Sequence, residues 1–197
     1  MRVGILGGSF DPVHLGHLIL AEQCREQARL DRVIFMLAAR PPHKLEQALT
    51  PFHHRQEMLE LAVSGYPAFA VGLLEKDRPG PSYTVDTLRE WRARQPDDEL
   101  GLIIGGDTLA DLGNWRDPAG IAAQCELIVA ARPGAPTPPI AAPFRGQWIA
   151  MPQVEIASRD LRARVAAGRS IRFLVPRAVE CYIQQHHLYG AAPGADR

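Results

Sequence analysis

The hydrophobic positions of this chain fall into short dense runs, separated by longer stretches in which apolar and polar residues alternate with helical spacing. Residues 3–6, 32–37, 69–74, 100–104, 127–131 and 147–151 are runs of strand length, rich in β-branched and aromatic side chains. Helices are predicted between them, over 18–30, from 51 to about 63, over 84–95, in a short segment before Trp115, over 118–124, 158–167 and 176–187. Thr50 reads as an N-cap with Pro51 in the first helical position, and Asp117-Pro118 repeats that pairing. Ser158 reads as another N-cap, with Gly168 as the stop of its helix, and Pro176 opens the last one. The run 100–104 has no polar residue, as expected of a strand covered on both faces. Strands and helices alternate, so the pattern predicts an α/β fold, a parallel sheet with helices on both faces.

At 197 residues the chain is long enough for one domain with a full core, and a second is not required. Residues 1–189 are expected to form that domain, with 190–197 a disordered tail of small and polar residues. The stretch 132–146 holds five prolines and reads as an extended loop, too well bracketed to be a linker. There is no internal repeat. Lys plus Arg and Asp plus Glu are both 22, so no excess charge points to a nucleic acid or an anionic membrane as partner. Cys24, Cys125 and Cys181 are far apart and form no CxxC pair, which suggests buried thiols in a reducing compartment. No leader-like or spanning apolar segment is present, and a cytoplasmic location is expected.

The candidate chemistry begins where the first strand ends. Gly7-Gly8-Ser9-Phe10-Asp11-Pro12-Val13-His14-Leu15-Gly16-His17 is a glycine-rich turn between a strand and a helix. Such a turn lets backbone approach a phosphate, and the helix start offers free N–H groups and partial positive charge. His14 and His17 add donors that can become cationic near neutral pH. Ordinary readings compete: a dinucleotide fingerprint lacks its spaced glycines here, a zinc pair lacks further ligands nearby, and a plain tight turn needs no function. The loops that follow the other strands also carry polar residues. They include His43 and Lys44 behind two prolines, Gly105 and Asp107 after the apolar strand, and Arg132. Ligands on parallel sheets bind beyond the carboxyl ends of the strands, where these loops lie.

Each of these residues has a bland alternative. Lys44 belongs either to a solvated basic loop or to one that closes over phosphates. Arg162 lies four residues after Ser158 on the same helical face, so the two can meet a phosphate together, or Ser158 simply caps a surface helix. Asp107 can hydrogen-bond ribose hydroxyls or make an Asx turn. Trp115 can stack on a ligand ring or fill the core. The pairs His53-His54 and His186-His187 read as surface helix residues without a function.

The first motif resembles the GGSFDPxHxGH signature of the HxGH nucleotidyltransferase superfamily. Pro41-Pro42-His43-Lys44, the SYTxDTL-like segment Ser82 to Leu88, Gly105-Gly106-Asp107, Trp115 and Arg132-Pro133-Gly134 narrow this to bacterial nicotinate-nucleotide adenylyltransferase, over residues 3–189. The resemblance implies a Rossmann-like sheet of the nucleotidyltransferase type and transfer of AMP from ATP to nicotinate mononucleotide. It implies His14, His17, Lys44 and Arg162 as catalytic residues. Gly8, Ser9, Phe10, His14, His17, Gly105, Asp107, Ser158 and Arg162 would bind ATP, and Lys44, Tyr83, Thr84 and Trp115 the mononucleotide. Mg²⁺ is expected on the nucleotide phosphates, with no protein metal site, and a homo-oligomer is compatible with the pattern. The chain departs from the family's ISSTxIR signature, reading Ile156-Ala157-Ser158-Arg159-Asp160-Leu161-Arg162. Other readings are a related enzyme using nicotinamide mononucleotide or phosphopantetheine, and a catalytically inactive nucleotide sensor.

Overall fold

The computed structural model describes residues 1–42 and 48–190. Lys44 and His43 of the predicted site, and residues 191–197 of the predicted tail, lie outside the described residues. The strands β1 (Arg2–Gly8), β2 (Arg32–Leu37), β3 (Phe69–Gly72), β4 (Glu99–Gly105), β5 (Glu126–Ala131) and β6 (Gly146–Ala150) form one sheet in the order β3-β2-β1-β4-β5-β6. Every neighbouring pair is parallel, and Ile5 of β1 lies opposite Ile34 of β2 and Leu102 of β4. The chain order reverses between β1 and β4, which makes the crevice above their carboxyl ends the switch point of the sheet.

The helices are α1 (Leu15–Gln27), α2 (Phe52–Val63), α3 (Thr84–Arg94), α4 (Gly106–Asp111), α5 (Pro118–Gln124), α6 (Ser158–Ala166) and α7 (Arg177–Gln185). Strand periodicity divides their cores. Leu6, Val33, Phe35, Leu37, Ile103 and Ile128 point to the face covered by α1, α2, α6 and α7. Val3, Ile5, Ile34, Met36, Leu102 and Val129 point to the other face, where Val85, Leu88 and Ile121 meet them from α3 and α5. Burial on both faces is why these strands read as continuous apolar runs.

Several predicted boundaries move. Strand β3 stops at Gly72, because Leu73 enters a turn closed by the Lys76 N–H on its carbonyl. Pro51 rather than Thr50 is the N-cap of α2, and Ala157 rather than Ser158 that of α6, since both keep extended backbone while the next residue turns helical. Pro176 likewise caps α7 from outside. The Gly-Gly-Asp turn after β4 is instead the first turn of α4. Cys24 and Cys125 are buried, and desolvation pushes both thiols up to about 12. Cys181 is exposed on α7, contrary to the expectation of a buried thiol. No helix among the described residues is long and apolar enough to cross a membrane.

Candidate active site

The loop between β1 and α1 is built around Phe10. Its backbone takes φ 45°, its side chain is buried, and its ring lies edge-on to His17 at 5.0 Å and beside Phe35 at 5.7 Å. A Cβ on Gly8 would stand 2.9 Å from that ring, so the glycine makes room for it. The Phe10 ring is therefore spent on packing, which leaves only its backbone to meet a ligand.

Helix α1 starts at Leu15, three residues before the predicted start, with His14 as an extended N-cap. His17 thus sits in the first turn and His14 immediately before it, both at the helix terminus rather than in a free loop. Their rings stack at 3.6 Å and 22°. A Cβ on Gly16 would come within 3.0 Å of His14 Nδ1, so the residue between the histidines must be small for this packing. The His14 N–H donates to His17 Nδ1 at 3.2 Å. With Nδ1 accepting, the ring proton of His17 resides on Nε2, which makes that nitrogen a donor.

His14 is 5% exposed, and its Nδ1 has no hydrogen-bond partner among the described residues. Desolvation holds its pKa down at about 4. The expectation of a cation near neutral pH therefore fails for His14 without ligand, because its burial was not visible in the sequence. Folding then disfavours the protonated ring. The stability this contributes is present above the ordinary pKa of about 6.5 and is lost as pH falls toward 4, by on the order of 3 kcal/mol. Denaturant titrations should show wild type losing more stability than His14→Asn over that interval. Parallel pH curves would contradict the assignment.

Residues from distant elements hold this loop. Arg55, 2% exposed, donates from Nη1 to the carbonyls of Ser9 and Ala38, both at 2.9 Å, and from Nε to that of Thr50 at 2.8 Å. Ser158 donates its hydroxyl to the Pro12 carbonyl at 2.9 Å, and Arg162 donates from Nη1 to the Asp11 carbonyl at 2.7 Å. The two lie on one face of α6 as predicted, and both bond the loop between β1 and α1. Arg162 has five N–H donors, so this bond leaves the guanidinium capable of more. Arg159, which with Ala157 departs from the family signature, is exposed and pairs at 3.3 Å with its neighbour Asp160.

Sequence reasoning missed Arg55, Asp11 and Tyr189. Arg55 had a signal: it shares helical spacing with buried Met58, Leu59 and Ala62, which places it on the core face of α2. Asp11, 2% exposed, accepts from the Thr50 N–H at 3.1 Å and from the Tyr189 hydroxyl at 2.6 Å. His54, read as a functionless surface residue, instead bonds Tyr182 at 2.9 Å across the contact of α2 with α7.

On the other side of the switch point, Tyr83 is the N-cap of α3 and Thr84 its first residue. The segment is fixed to the end of β2, since the Ser82 N–H donates to the Arg40 carbonyl and the Arg40 N–H to Ser82 Oγ. Arg116 stands 4.5 Å over the Tyr83 ring, and half-buried Trp115 packs against the same cluster as Tyr83. Tyr83 and Thr84 are consecutive at the start of α3, and Trp115 packs on the same core face. The first N–H groups of α3, those of Thr84 and Val85, have no intrahelical acceptor, as at any helix start. Gly105 ends β4, and the Asp107 carboxylate is paired with Arg132 at 2.6 Å, both side chains being exposed.

A family model described as cytidylyltransferase-like matches residues 5–164. A probable nicotinate-nucleotide adenylyltransferase of Thermus thermophilus is 50% identical over 96% of this chain and 100% of its own length. A probable enzyme of the same name from Geobacter sulfurreducens is 42% identical over 96% of this chain and 98% of its own length. Among solved structures, a Plasmodium falciparum nicotinic acid mononucleotide adenylyltransferase complexed with NaAD has a TM-score of 0.77 at 18% identity, covering 97% of this chain and 98% of that one. At that identity the likeness speaks for the fold alone, which is the predicted α/β sheet of nucleotidyltransferase type. By its matched residues and by the identity it keeps over the full length of these relatives, the chain belongs to the cytidylyltransferase-like family, among the nicotinate-nucleotide adenylyltransferases.

Proposed function

We infer that this protein transfers AMP from ATP to nicotinate mononucleotide, forming deamido-NAD and pyrophosphate, as a cytoplasmic step of NAD biosynthesis. The observation that carries the reading is one juxtaposition. His14 and His17 at the start of α1, and Ser158 and Arg162 on α6, converge on the loop that leaves β1 at the switch point. Full-length likeness to enzymes of that name supports it.

The reaction needs little covalent chemistry from the protein. A phosphate oxygen of the mononucleotide attacks the α-phosphorus of ATP, and the bond to the bridging oxygen breaks as pyrophosphate leaves. That nucleophile is already an anion, so no general base is required, and positioning with charge stabilisation suffices. In this reading His17 donates from Nε2 to the phosphates, and His14 gains a partner for its buried Nδ1 or takes up a proton beside them. Lys44 and Arg162 supply fixed positive charge. The N–H groups at the start of α3 hold the nicotinate carboxylate, and Trp115 stacks on the ring. Gly8, Ser9 and Phe10 offer backbone to the triphosphate, while Gly105 and Asp107 line the adenosine side. Apart from Asp11, whose carboxylate is held by Thr50 and Tyr189, the described side chains named around the loop are imidazole, hydroxyl and guanidinium, which suit phosphate oxygens rather than a hard cation, so Mg²⁺ would be carried by the triphosphate.

Lys44→Ala and Arg162→Ala should each lower catalysis with ATP far more than they weaken mononucleotide binding. Steady-state kinetics together with calorimetry of nicotinate mononucleotide tests this. Abolition of mononucleotide binding alone would reverse the assignment.

A further inference from the structure

The loop of residues 9–14 belongs to no strand or helix, so groups outside it join its own buried Phe10 in setting its shape. Arginine and serine side chains hold its carbonyls, as described above. Its one buried carboxylate, Asp11, is held differently. Thr50, which lies beyond the segment bearing Lys44, donates its N–H to Oδ2, and Tyr189 donates its hydroxyl to Oδ1 from 178 positions away. Asp11 is thus the point where the β1–α1 loop, the entry to α2 and the end of the described chain meet.

The backbone at Tyr189 is bent to make this contact. Residues Leu188–Gly190 form a short 3-10 turn after α7, with Tyr189 at φ 61° and ψ 23°. That left-handed conformation disfavours a residue with a Cβ, and sites that retain it are enriched in functional roles. Helix α7 is itself fixed to α2, by buried Val179 and Ile183 and by the bond between Tyr182 and His54. The phenol is therefore carried on a packed element rather than on a loose end.

We propose that Tyr189 is a positioning residue for adenylyl transfer: by holding Asp11 it fixes the loop that aims His14 and His17, together with Thr50 at the entry to α2. The proposal rests on the functional reading above. It assigns Tyr189 no contact with substrate. Without the hydroxyl, Asp11 keeps the Thr50 N–H but loses the donor on Oδ1, and the loop is free to relax around a buried acceptor left unpaired.

Tyr189→Phe in the full chain removes only that oxygen. Two measurements on it test the proposal, steady-state kinetics with ATP and nicotinate mononucleotide and hydrogen exchange resolved by peptide. The expected result is a kcat about ten- to a hundredfold lower, with KM for the mononucleotide within about twofold of wild type. Exchange should rise in the peptide covering residues 8–14 and stay unchanged in α3. A kcat close to wild type with unchanged exchange in that peptide would overturn the proposal. So would a rise in exchange across all peptides with kcat and KM degraded together, which is the mark of a stability residue. If wild-type protein released no pyrophosphate with the mononucleotide, the functional reading would fail on its own. The exchange arm would still decide whether Tyr189 holds the loop.

Discussion

His17→Ala is expected to lower kcat by about 10²–10³-fold while the fold stays intact, the usual effect of deleting one preorganised donor to a charged transition state. The structure supplies the preorganisation. Phe10 meets the His17 ring edge-on, His14 stacks on its face, and the His14 N–H occupies Nδ1. Rotation and tautomer are both constrained before any ligand arrives, so little reorganisation remains for the reaction step. Removing the ring strips the His14 N–H of its acceptor, a loss of about 1 kcal/mol in stability, too small to unfold a domain of this size. Turnover measured beside a thermal melt separates the two effects. A variant with near wild-type turnover would remove His17 from the mechanism.

The second large effect is substrate choice. Nicotinate mononucleotide should be preferred over nicotinamide mononucleotide by on the order of 10–10³ in kcat/KM, because the amide oxygen accepts from only one of two facing donors and the amide brings no charge to the helix start. Each buried N–H facing the amide nitrogen instead of a carboxylate oxygen costs roughly 1–3 kcal/mol. The start of α3 carries two N–H groups without intrahelical acceptors, and its dipole favours an anion there. Arg116 over Tyr83 adds a cation on that side, yet it is exposed and engaged with an aromatic face. The preference is therefore expected to survive in Arg116→Ala, as measured by competition between the two mononucleotides. Equal use of both by wild type would sink this account of the carboxylate site.

How much of this was legible before the structure depended on whether a feature is local. The strands were, because burial on both faces writes itself as apolar runs such as residues 100–104. The shared face of Ser158 and Arg162 followed from helical spacing. Cap positions were off by one residue at Pro51 and Ala157, since extended backbone decides them and a proline or alanine there carries no capping side chain. The start of α1 was three residues off because Gly16 reads as a loop residue, whereas its role is to leave space for His14. Illegible altogether were properties that arise only in three dimensions. They are the burial that keeps His14 neutral and the closure of Tyr189 on Asp11. Nothing near position 11 points to position 189.

In the proposed reaction the phosphate of nicotinate mononucleotide attacks the α-phosphorus of ATP at the loop between β1 and α1. Following ATP labelled at its α-phosphate tests it most directly. With nicotinate mononucleotide and Mg²⁺ present, the label should appear in deamido-NAD while unlabelled pyrophosphate is released in equal amount, and His17→Ala should slow both together. Label that stays in ATP with nicotinate mononucleotide, yet moves to phosphopantetheine or is released as AMP, would contradict the claim.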